Sequence, residues 1–168
     1  MTIQGVLNKT IFTGFSSADE AIIRQSMTNL YNRSATARAM LDKITLSQLV
    51  INFVPGKLEA WGFFELAIDL SEISRRSYIT PNGKGVTMTL DAVLAHELVH
   101  AIEGLVDNPQ APNFAGDTVI FANKIYNEMG IPQRLSYLGA GYYYTVSNGK
   151  EYTNGAVIDT AMYCPMIL

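Results

Sequence analysis

"LDAVLAHELVHAIEG", residues 90–104, decides how the rest of the chain is read. Leu94, Leu98, Ala101 and Ile102 recur at three- and four-residue spacing, the period of one helical face, and Gly104 stands where such a helix can stop. Within it His96-Glu97-Leu98-Val99-His100 fits H-E-x-x-H. At 100° per residue the two histidines lie about 40° apart on one face, so both imidazoles can reach a single Zn2+ at about 2.0–2.1 Å. Glu97 falls on the adjoining face. There it is placed to take a proton from a zinc-activated water and pass it to a leaving amine. The apolar stripe opposite should anchor the helix in the core. The competing reading makes the pair ordinary hydrogen-bonded core histidines; against it, the chain has only two histidines and both fall in the motif.

A chain of 168 residues, 48% of them hydrophobic, is long enough for one substantial core, so a single domain over 1–168 is expected. The net charge of −3 provides no basic field for nucleic acid or anionic lipid. Cys164 is the one cysteine, so no internal disulfide can form. No apolar run approaches the ~20 residues that span a bilayer, and "MTIQGVLNKTIFTG" lacks the charged leader and apolar run of a cleavable export signal.

Outward from the motif, "SSADEAIIRQSMTNLYNR" opens on capping residues and spaces Ile22, Ile23, Met27 and Leu30 as a helix does. "SATARAMLDKI" starts a second, shorter helix on another serine. "SQLVINFV", bounded by Pro55-Gly56, reads as a buried strand. "LEAWGFFELAIDL", "RRSYITP" and "VTMTL" are extended, the last two joined across an Asn82-Gly83 turn. "GDTVIFANKIYNEMG" predicts a helix from an Asp117 cap to a Gly130 stop. Aromatic strands follow around a second Asn-Gly. The expected fold is α+β, with a mixed or antiparallel sheet around a central H-E-x-x-H helix.

Three runs, "SATARAMLDKI…LVINFVPG", "TPNGKGVTMTLDAVLAHELVHAIEG" and "NKIYNEMGIPQRLSY", carry a resemblance between Ser34 and Tyr137. There the chain resembles the small zinc metallopeptidases found among bacterial type III secretion effectors and toxin domains, distantly similar to clostridial neurotoxin light chains. H-E-x-x-H is common to many zincins; the G-x-P-x-R-x-x-Y spacing from Gly130 is more particular. The resemblance implies a zincin-like fold, a zinc cofactor, a protein or peptide substrate, and delivery that needs no cleavable leader. It also implies that Arg134 and Tyr137 stand near the metal and steady the oxyanion formed at a peptide carbonyl. A guanidinium and a phenol are donors suited to that charge.

The same family places its third ligand, a glutamate, on the downstream helix, in an acidic pair just before the residue that Asn123 matches. Here Phe121-Ala122 stand there, and Ala122 is expected on the inward face. Glu128, the one Glu of this helix, is expected in a solvated pair with Lys124. Asp107 and Asp159 cannot be placed from sequence. Three functions therefore compete: a zinc endopeptidase whose substrate pairs with an edge strand from "EAWGFFELAIDL" or "RRSYITP", a non-catalytic relative serving as an interaction module, and a zinc hydrolase of small molecules.

Overall fold

The computed structural model describes residues 2–82, 84–107 and 115–135, with backbone alone for 45, 46, 144–147, 150–153 and 156–158. It is a mixed α+β fold. After α1 (Ile3–Asn8) and β1 (Thr10–Thr13) come α2 (Ser17–Arg33), α3 (Ala35–Leu41) and a 3-10 turn (Asp42–Leu46). Then β2 (Leu49–Phe53), β3 (Leu58–Gly62) and β4 (Glu65–Ile68) build a four-stranded sheet of order β1-β2-β4-β3. The first two pairings are parallel and the β3–β4 pairing antiparallel, so β3 is an edge strand. A short α4 (Leu70–Ile73) leads to the β5 (Ser77–Ile79) and β6 (Gly85–Thr87) hairpin, followed by α5 (Leu90–Leu98) and α6 (Gly116–Met129). Strands β7 (Tyr144–Ser147), β8 (Lys150–Thr153) and β9 (Ala156–Ile158) pair as an antiparallel meander.

The local chemistry explains most boundaries. Ser16 and Ser34 accept hydrogen bonds from Asp19 N and Ala37 N, satisfying amides that the first turns of α2 and α3 leave free. Asn82 lies in the β5–β6 connection, which runs from Thr80 to Lys84 and closes by Thr80 N donating to the Lys84 carbonyl. Two expectations need correction. Asp117 sits in the first turn of α6 rather than at its cap, which is Ala115; its charge still suits the positive end of the helix. Glu128 accepts hydrogen bonds from Ser34 Oγ, Thr36 N and Thr36 Oγ1, so it covers the start of α3, while Lys124 lies over the Phe121 ring. Sequence spacing shows only neighbours on one helix; Glu128 found its partners 92 and 94 residues away.

α5 runs through the middle of the core, between α2 and α6. Leu94, Leu98 and Ala101 are wholly buried and Ile102 nearly so, as the apolar stripe predicts; a buried leucine contributes about 1.5–3 kcal/mol. Thr89 caps the helix, and Asp91 in its first turn accepts hydrogen bonds from Ser26 and Asn29 of α2. The α-helix gives way at Val99–Glu103 to one π-helical turn. Such a turn holds one extra residue and is frequent at functional sites. Ala101 O accepts from Phe64 N at 2.8 Å, which ties the β3–β4 turn onto the π turn. Phe64 is left-handed at φ 57, an uncommon state for a bulky residue.

Gly104 ends the helix at φ 66, and a Cβ added there would stand 3.0 Å from the Phe63 ring. Gly104→Ala is therefore expected to lower stability by about 1–2 kcal/mol from the backbone alone, and to push the ring aside. A thermal melt that leaves the midpoint unchanged would show that this left-handed residue carries no strain when substituted.

Candidate metal centre

The π turn delivers the chain past Gly104 so that Asp107 returns over α5. His96 Nε2 lies 3.2 Å from His100 Nε2, and Asp107 Oδ2 lies 3.2 Å from the first and 3.0 Å from the second. These three atoms form a nearly equilateral triangle. For zinc bonds of about 2.0–2.1 Å, neighbouring ligand atoms of a tetrahedron stand about 3.3–3.4 Å apart, so the triangle fits one face of such a site. Asp107 Oδ1 is buried with no hydrogen-bond partner among the described residues. His96, His100 and Asp107 are thus a group that could hold a metal ion.

The surroundings shift the protonation of all three groups. Burial, reinforced by the Arg134 guanidinium, pushes His96 down to about 4, so the ring is neutral near pH 7. Burial alone would raise Asp107, but hydrogen bonds from His100 and His96 outweigh it and hold the carboxyl far below the usual carboxylate range. His100 Nδ1 donates to the Leu105 carbonyl at 2.7 Å. This fixes the ring with its Nε2 edge turned toward Asp107, the outer-shell arrangement that orients metal-ligating histidines. Burial would lower His100, yet its bonds to Asp107 and Leu105 raise it overall.

Glu97 stands beside this group on the adjoining face, as expected. Its Oε2 accepts from Ala60 N of β3 at 3.0 Å. Burial pushes its carboxyl up to about 7, the range in which a group both takes and gives a proton near neutral pH. Glu97, the two histidines, Asp107 and Arg134 all line one cleft of about 520 Å³, walled on one side by β3.

Arg134 is almost wholly buried. Its Nη1 lies 3.3 Å from His96 Nδ1, and its guanidinium lies 5.8 Å from the centre of the Tyr78 ring. A guanidinium offers only donors, so this contact suits a bare Nδ1 and must open when Nε2 gives its lone pair to a metal. The backbone of residue 134 is held by Asn123: Oδ1 accepts from Arg134 N and Nδ2 donates to Arg134 O, both at 2.8 Å. Asn123→Ala leaves both backbone groups without those partners, at about 1–3 kcal/mol each where water cannot replace them. The expected loss is about 2–3 kcal/mol by denaturant titration. Asn123→Asp, which keeps the acceptor, should recover roughly half of it, and equal losses in the two variants would discount the clamp.

Among solved structures, the fold is similar to that of the Salmonella zinc metalloprotease effector GtgA. The TM-score is 0.63 over 82% of this chain and 84% of that one, at 18% sequence identity. At that identity the likeness is one of fold. No family model and no curated protein sequence matches the chain.

Of the residues singled out from sequence, His96, Glu97, His100 and Arg134 come together at the cleft, whereas Tyr137 lies outside the described residues. Ala122 is fully buried in the hydrophobic core, and the carboxylate that stands with the two histidines is that of Asp107. Asp107 is one of the two aspartates that the sequence alone does not place. A signal was present: zincins reading H-E-x-x-H-x-x-G-x-x-H put a glycine three residues and a ligand six residues past the second histidine. Here Gly104 and Asp107 come four and seven residues past it. Each comes one residue later than in that pattern, and the π turn, Val99–Glu103, runs through His100 up to Gly104.

Proposed function

We propose that this chain is a zinc-dependent endopeptidase. The observation that carries the reading is the His96–His100–Asp107 triangle with Glu97 beside it, at the floor of a cleft bordered by an edge strand. Bound by these three side chains, zinc would supply Lewis acidity, polarising a peptide carbonyl and lowering the pKa of water to about 7. Glu97 has one oxygen occupied by Ala60 N–H, so the other is free to take the proton of the attacking water and hand it to the leaving amine. Arg134 lines the cleft as a donor for the oxyanion, a role typically worth about 3–4 kcal/mol. The family resemblance extends that role to Tyr137, the Tyr of R-x-x-Y. Among the described residues no strand pairs with the outer edge of β3, and its main-chain groups other than the Ala60 N–H held by Glu97 offer an extended peptide a partner.

The non-catalytic reading drew its strength from the missing carboxylate, and Asp107 removes that support. The open cleft beside an edge strand also favours a polymer over a small molecule. The effector role named for GtgA, and with it translocation out of the producing cell, enters as part of the same proposal. No helix among the described residues is long and apolar enough to cross a membrane.

The test is to digest unfolded protein and a peptide mixture with purified chain, before and after chelation and after zinc is restored. Cleavage should stop on chelation and return at about one zinc per chain by elemental analysis. Failure to take up zinc on reconstitution sinks the proposal.

A further inference from the structure

Among the described residues, three of the large hydrophobic side chains that stand exposed line this same cleft: Trp61 at 49%, Phe63 at 77% and Val106 at 70%. Single exposed apolar residues are ordinary, but a group of them around a concave site marks an interaction surface. Trp61 and Phe63 belong to the end of β3 and its turn, and Val106 stands on the other wall, next to Asp107. They also stand in defined places. Trp61 Nε1 donates to Glu59 Oε1 at 2.9 Å, and the Phe63 ring lies against the bare backbone of Gly104. The lining also includes Arg76 and Met88, which differ in kind.

We infer that Trp61, Phe63 and Val106 receive a bulky apolar side chain of an extended peptide, at the place where that peptide passes the C-terminal end of β3. The inference rests on the proposed peptide-binding role of the cleft and specifies what it selects. A strand running along β3 presents every second side chain to the face from which Trp61 projects. Pre-positioned aromatic side chains make effective anchors because little freedom is lost on contact. A basic side chain finds no vacant counter-charge here, since Glu59 is already paired with Lys57 at 3.1 Å as well as with Trp61. An acidic one would be desolvated against that same Glu59.

The experiment uses zinc-loaded Glu97→Gln protein to select from a phage-displayed random dodecapeptide library. Enriched peptides are then synthesised, each with a partner in which one apolar residue is replaced by serine. Trp61 is the only tryptophan in the chain, so its emission reports contact directly. Enriched sequences should share one bulky apolar position, and serine there should weaken binding about tenfold or more. Phe63→Ser with Val106→Ser should cause a similar loss for the apolar peptide and little for its serine partner, because the two changes remove the same contact. Both sites are exposed, so the double variant should fold. Absence of enrichment, enrichment without an apolar position, or equal losses for both peptides overturns the inference. So does a dimer in sedimentation that the double variant abolishes, which would make the surface a self-contact. Selection with no cleavage by the wild-type chain would sink the peptidase reading and leave this one standing; cleavage without apolar selection does the reverse.

Discussion

Asp107→Ala is expected to lower zinc affinity by more than about 100-fold. Loss of an outer-shell partner already costs 10–100-fold at metal sites, and here one of the three proposed ligands goes. His96→Ala and His100→Ala should match it, because no fourth His, Cys, Asp or Glu joins the group among the described residues. Asp107→Asn is the informative companion: it keeps the shape and an oxygen but loses the charge, and should fall between wild type and Ala. Competition with a chromophoric chelator measures all four variants. Wild-type affinity in Asp107→Ala would return the search for the third ligand to the residues beyond 135, where Asp159 stands.

Glu97→Gln should bind zinc within a few-fold of wild type while losing about 100- to 10,000-fold in peptide hydrolysis, the range over which a positioned acid–base group acts. The amide oxygen can still accept from Ala60 N, so the contact with β3 survives. Stability should be preserved for a second reason: burial already disfavours the charged form of this carboxyl, and an amide carries no charge to bury. Unchanged turnover in Glu97→Gln would remove Glu97 from the mechanism, whatever the metal does.

The elements that could be read from sequence are those whose signals are local. Caps at Ser16 and Ser34, the stops at Gly104 and Gly130 and the apolar period of α5 depend on residues within a turn or two of each other. The parallel pairing of β1 with β2 did not show, because its partners lie 39 residues apart and β1 is a four-residue strand. At the site, the histidines and Glu97 were legible because one helix fixes their spacing. Asp107 was not, since a helical wheel stops describing the chain at the π turn and again at the left-handed Gly104. Arg134 was legible through resemblance alone; its anchor on Asn123 is a contact between a helix and a loop 11 residues on.

The two hydrogen bonds from the β3 region to the central helix also bear on how the cleft moves. Ala60 N–H holds Glu97 and Phe64 N–H holds Ala101 O, so sheet edge and helix are stitched at two points about a helical turn apart. The β3 wall of the cleft cannot hinge away from the helix at its floor without giving up both bonds. That wall keeps its place, so on the proposed peptide-binding role an incoming chain meets a fixed edge and has to arrive already extended. Recognition would then favour unfolded or loop segments over structured ones, with the entropic cost of straightening borne by the substrate and little by the protein.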